Sequence, residues 1–128
     1  MKSMLVATDF SMRSDRALRR ATLLARQFSA KLVLLHVVDD DQPRRLLEAE
    51  RQEATALLQE LARTVREADG VACDGRVALG DPFQGIVGAS EEIDADVIIL
   101  GPHRRRALRD VLVGTTVERT IRLSRRPV

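Results

Sequence analysis

The chain alternates short apolar runs with longer stretches in which apolar residues recur every three or four positions. Met4 to Ala7 is the first run, and Thr8-Asp9-Phe10-Ser11 is the loop that leaves it. Ala17, Leu18, Ala21, Leu24, Ala25 and Phe28 then fall on one helical face, with Ser11 or Ser14 as its cap and Asp15 in its first turn. Lys31 to Val38 is a second, longer run, broken only by His36. After the polar turn Asp39 to Gln42, Pro43 suits the first position of a long amphipathic helix. Leu47, Ala54, Leu57, Leu58, Leu61 and Val65 mark its buried face, and Gly70 stops it. Val71 to Leu79 reads as a weaker, edge-like strand, because Asp74 and Gly75 interrupt it. Gly80-Asp81-Pro82 is a helix start, and Phe83, Ile86, Val87 and Ile93 give that helix its apolar side. Val97 to Leu100 is an uninterrupted strand ended by Gly101. Val113, Val117 and Ile121 stripe a last helix, and Pro127-Val128 is the expected entrance to a fifth strand, cut off where the chain stops.

Strand and helix therefore alternate from end to end. That order predicts one α/β domain over residues 1–128, a doubly wound parallel sheet with helices on both faces and right-handed crossovers. Ligands of such sheets bind outside the carboxyl ends of the strands, where strand order reverses. If the first and fourth strands are neighbours, Asp9 and the Gly101 loop share that crevice.

Composition narrows the classes. At 128 residues with 45% hydrophobic content the chain is long enough for a real core, and no run approaches the ~20 apolar residues of a membrane span. The first residues pass directly into a strand and do not read as a signal peptide. Cys73 is the sole cysteine, which excludes an internal disulfide and paired-thiol metal sites and suits the cytoplasm. Charge is unevenly spread. Lys2 and Lys31 are the only lysines among 21 basic residues, the rest being arginine, and residues 101–128 hold eight arginines against Asp110 and Glu118. That local +6 leaves −4 for the remainder of a chain of net charge +2, which favours an anionic partner near the C-terminal part. Three Phe and no Trp or Tyr offer little stacking surface, so nucleotide is expected over nucleic acid.

The chemistry concentrates after the fourth strand. A glycine turn at Gly101, a basic loop His103-Arg104-Arg105-Arg106, and Gly114-Thr115-Thr116 opening a helix are the parts of a phosphate cradle, where free amides and the helix dipole meet an anion. No Gly-x-Ser-x-Gly elbow, His-Glu-x-x-His pair or Gly-Lys-Ser/Thr loop occurs. Efficient turnover is not expected.

Taken together these residues resemble the universal stress protein family. The resemblance runs over essentially the whole chain, through Leu5-Val6-Ala7-Thr8-Asp9-Phe10-Ser11, Leu34-Leu35-His36-Val37-Val38-Asp39, Gly80-Asp81-Pro82, Ala95 to Gly101, Gly114 to Arg119 and Arg126-Pro127-Val128. It implies strand order 3-2-1-4-5, a cytoplasmic homodimer and a role in stress. It also implies ATP, carried with magnesium, as ligand. Asp9 would contact the ribose or adenine end, Val37 the adenine edge through its backbone, and Leu100 would lie beside it. Gly101, Gly114, Thr115, Thr116 and Val117 would surround ribose and phosphates; His103 and Arg104 of the basic loop are phosphate candidates from their own chemistry rather than from the resemblance.

The family's nucleotide signature has a middle glycine, and here Arg104 stands in its place. Arginine loses glycine's close backbone approach but brings a bidentate phosphate donor. The alternative is thus a dimeric interaction module without nucleotide, its pocket altered by Arg104; slow ATP hydrolysis is a further one. Bland readings stand beside each feature: Asp9, Thr115 and Thr116 as helix caps, His36 as a hydrogen-bonded core histidine, His103 and Arg104 to Arg106 as a solvated loop.

Overall fold

The computed structural model describes residues 2–100. Along them run β1 (Ser3–Ala7), α1 (Met12–Phe28), β2 (Lys31–Val38), α2 (Arg44–Asp69), β3 (Cys73–Leu79), α3 (Pro82–Glu92) and β4 (Val97–Leu100). The four strands pair in parallel in the order β3-β2-β1-β4. The family resemblance implies this order for the four strands. The last helix and the fifth strand, with its place in the order, lie outside the described residues.

Alternation along the strands divides the core into two. Met4, Val6, Leu32 and Leu34 face α1 and α2, where Leu18, Ala21, Ala25, Leu58, Ala62 and Val65 close over them. Leu5, Val33, Leu35 and Ile98 face the other way, against Ile86 and Ala89 of α3. Both faces of β1 and β2 are covered, which is why these strands read as continuous apolar runs. Each fully buried leucine or isoleucine is worth about 1.5–3 kcal/mol relative to exposure, and Leu5, Leu34, Leu35 and Ile98 all reach 0% exposure.

Local signals set the helix ends. Ser11 caps α1, its side chain accepting from the Ser14 amide at 3.3 Å. Asp81 caps α3 by accepting from the Gln84 amide at 3.0 Å, with Pro82 in the first turn. Gly70 ends α2 in the left-handed region at φ 67°, a conformation glycine adopts without a Cβ penalty. Pro43 differs slightly from expectation: it is the residue before the helix, and α2 begins at Arg44.

Three residues expected on buried faces are partly open: Leu24, Phe28 and Leu57 are 40%, 48% and 39% exposed. In α1 the small Ala21 and Ala25 sit against the sheet, and Ala17 is buried as well. The buried stripe extends to Ser14 and Thr22, the latter satisfied by donating its hydroxyl to the Leu18 carbonyl at 2.8 Å. Gly75 also has a role that the pattern does not reveal. A Cβ there would lie 2.9 Å from Leu58 Cβ, so this glycine lets α2 press onto β3.

Candidate functional site

The reversal of strand order falls between β1 and β4, whose last paired residues are Ala7 and Leu100. The loop leaving β1 therefore stands at the carboxyl edge of the sheet, next to the end of β4. The Thr8 amide continues the ladder by donating to the Leu35 carbonyl at 2.8 Å, and the chain then turns away.

Asp9 is tied to the start of α1 by a closed set of hydrogen bonds. Its Oδ1 accepts from the Ser11 amide at 2.9 Å and from the Ser14 hydroxyl at 2.7 Å, while its own amide donates to Ser14 Oγ at 3.1 Å. Partial burial opposes ionisation of this carboxyl, but the hydrogen bonds from Ser11 and Ser14 outweigh it and hold the pKa below the ordinary 3.8. Asp9 is thus an exposed, oriented carboxylate, and Oδ2 is the oxygen turned to no protein donor among the described residues.

Phe10 follows with a positive φ of 64°, unusual for an aromatic residue. Its amide donates to Thr8 Oγ1 at 3.0 Å, and its ring lies 4.6 Å from the His36 ring at an interplanar angle of 40°. His36 Nδ1 is 2.8 Å from the Thr8 carbonyl. The histidine in the apolar strand is therefore hydrogen-bonded, to the loop that carries Asp9.

Val37, the next residue of β2, pairs with Ala78 and borders the core on the α3 face together with Ala7 and Leu100. It is held there from above. A Cβ on Gly85 of α3 would come within 2.7 Å of Val37 Cγ2, so α3 packs its backbone directly onto this side chain.

Of the residues singled out in the sequence, the fold brings Asp9, Val37 and Leu100 to one edge of one sheet. Gly101, His103, Arg104, Gly114, Thr115, Thr116 and Val117 lie outside the described residues. The structure adds Ser14 and His36 as supports of the Asp9 loop. The Ser11/Ser14 ambiguity resolves into two jobs, Ser11 capping the helix and Ser14 fixing Asp9. Beside the loop a cleft of about 440 Å³ opens between α1 and α2, lined by Phe10, Leu18, Leu57 and Leu61 with Asp15 and Glu60. Among the described residues no group of three or more His, Cys, Asp or Glu side chains is placed to hold a metal ion, and no helix is long and apolar enough to cross a membrane.

Comparison with known proteins agrees with this frame. A model of the universal stress protein family matches residues 1–128. Universal stress protein MJ0577 of Methanocaldococcus jannaschii is 25% identical over 149 residues, spanning 99% of this chain and 92% of the relative. Among solved structures, a universal stress protein in complex with cAMP superposes with a TM-score of 0.81 at 24% identity, covering 99% of this chain and 94% of the other. The universal stress protein from Archaeoglobus fulgidus in complex with dAMP gives 0.75 at 23% identity, covering 100% and 95%. At these identities the two structures show a shared fold.

Proposed function

The chain belongs to the universal stress protein family, and from that membership we propose that it binds an adenine nucleotide as a regulatory ligand in the crevice between the ends of β1 and β4. The observation that carries this reading is the pairing of Ala7 with Leu100, which sets the oriented Asp9 carboxylate beside the end of β4 and within the same edge as Val37. Nucleotides with an adenine base occupy two proteins of the same fold, as cAMP in one and dAMP in the other.

In this reading Asp9 accepts from a ribose hydroxyl or the base through Oδ2. The Val37 backbone meets the adenine edge, and Leu100 packs beside it. Gly101, Gly114, Thr115, Thr116 and Val117 serve ribose and phosphates, while His103 and Arg104 meet phosphate charge. One arginine–phosphate hydrogen bond is worth about 1.5–3 kcal/mol, which offsets the loss of a glycine at position 104. ATP is the expected ligand, with magnesium arriving on its phosphates. A single domain over residues 1–128, a homodimer and a cytoplasmic location complete the proposal.

Isothermal calorimetry with Mg-ATP, cAMP and AMP tests it on the wild-type chain and on Asp9→Ala and Gly114→Val. Saturable heat that both substitutions abolish supports the reading. Absence of heat at millimolar nucleotide rejects it. Recovery of heat in Arg104→Gly alone would transfer support to the interaction module without nucleotide.

A further inference from the structure

Ladder geometry at the end of β1 singles out one side chain. The β1–β2 register runs to Ala7 opposite Leu35, and the Thr8 amide donates to the Leu35 carbonyl at 2.8 Å. The next rung of a parallel ladder would join the Val37 amide to the Thr8 carbonyl. The register stops one residue short of it, and the Thr8 carbonyl is met by His36 Nδ1 at 2.8 Å. A carbonyl oxygen only accepts, so Nδ1 carries the proton, in the neutral ring and in the imidazolium alike. The ring is braced by Phe10 at 4.6 Å, and Phe10 adopts its positive φ with its amide on Thr8 Oγ1. A non-glycine residue in that region costs about 1–3 kcal/mol, so the turn persists because these contacts hold it.

We propose that His36 is a positioning residue for the ligand: by withdrawing the Thr8 carbonyl from the ladder it bends the chain into the Asp9 loop and leaves the Val37 amide to the edge of the bound base. Residues of a strand present their amides alternately to its two neighbours. Leu35 and Val37 therefore both address β1, and the Leu35 carbonyl is taken by the Thr8 amide. Val37 is the first amide on that side of β2 beyond the end of pairing, and the half-buried Val37 side chain is fixed by Gly85. The imidazole so links two ligand contacts that are 28 residues apart in sequence. This inference rests on the nucleotide reading, in which Val37 meets adenine.

Two measurements on the full chain test it. The first is amide hydrogen exchange by NMR without ligand. Val37 should exchange at least about tenfold faster than Leu35, whose neighbours are paired. His36→Leu, which frees the Thr8 carbonyl for the ladder, should slow Val37 toward the Leu35 rate. His36→Asn, whose Nδ2–H reaches the place of Nδ1–H, should keep Val37 fast. The second is calorimetry with ATP, where His36→Leu should weaken binding about tenfold, the size of one hydrogen bond, and His36→Asn should restore it.

Strong protection of Val37 in the wild type overturns the inference, and so does equal exchange in wild type and His36→Leu. Should His36→Leu fail to fold by circular dichroism, the wild-type and His36→Asn exchange rates still decide. If the wild type takes up no adenine nucleotide, the functional reading falls by itself, because exchange at Val37 is read without ligand.

Discussion

Replacing Ser14 by alanine tests the geometry of the site most directly. The Ser14 hydroxyl sits buried at 5% exposure, donates to Asp9 Oδ1 at 2.7 Å and accepts from the Asp9 amide at 3.1 Å. An ordinary protein hydrogen bond is worth about 0.5–1.5 kcal/mol net, and bonds to charged groups about 1.5–3. Asp9 is exposed, so solvent screening puts the charged bond at the low end, while removing a buried hydroxyl returns part of the loss. A destabilisation of about 1–2 kcal/mol remains.

The pH dependence follows from the depressed pKa of Asp9. A carboxyl whose folded pKa lies below its unfolded value stabilises the fold above the unfolded pKa, and that contribution is lost as pH falls through the folded pKa. Losing the Ser14 bond moves the folded pKa upward, so the penalty for Ser14→Ala is larger at neutral pH than at about pH 3. Urea unfolding at both pH values, with Asp9→Ala and the double variant, measures it. Coupling between the two sites of at least about 0.5 kcal/mol at neutral pH is expected. Additive penalties within about 0.3 kcal/mol, or penalties equal at both pH values, refute the bond.

Other expectations follow from the packing. Gly75→Ala sets a Cβ 2.9 Å from Leu58 Cβ; overpacking of about 1–3 kcal/mol outweighs the about 0.5–1 recovered from glycine's chain entropy, so chemical denaturation should show net destabilisation. Leu58→Ala, at a site 1% exposed, should cost about 2–5 kcal/mol by the same assay. Gly85→Ala pushes on Val37 Cγ2 from 2.7 Å; a helix gains about 1 kcal/mol from the exchange, so stability should change little while nucleotide affinity falls, read by calorimetry beside a thermal melt. Burial pushes the Cys73 thiol up to about 11, and the native protein should resist alkylation at neutral pH until denaturant exposes it, as mass spectrometry would show.

Much of this fold is written plainly along the chain. The runs of β1, β2 and β4 are continuous because both faces of the sheet are covered. The ends of α1, α2 and α3 carry Ser11, Gly70 and Asp81, whose capping chemistry is local. What depends on a distant partner is not written there. Leu24 and Phe28 match the helical period of α1 yet stay open, since the three alanines and Thr22 decide how that helix lies. Gly75 looks like a weakness in a strand and is a point of close approach to α2. At the site, Asp9 stands out by its place after the first strand, whereas Val37 and Leu100 come from the family resemblance. The support from Ser14 and His36 is visible only once the loop's path is known. The positive φ at Phe10 has no signature at all in a residue other than glycine, asparagine or aspartate.

The sheet order also sets a timetable for the growing polypeptide. β1, β2 and β3 add side by side as they emerge from the ribosome, whereas β4 must travel back across them to reach β1, its partner about ninety residues upstream. A nascent chain that has made β3 can already bury the apolar face beneath α1 and α2, but it has no wall opposite Asp9. In the proposed nucleotide reading, the crevice beside Asp9 is therefore incomplete until β4 has been made and has paired with β1.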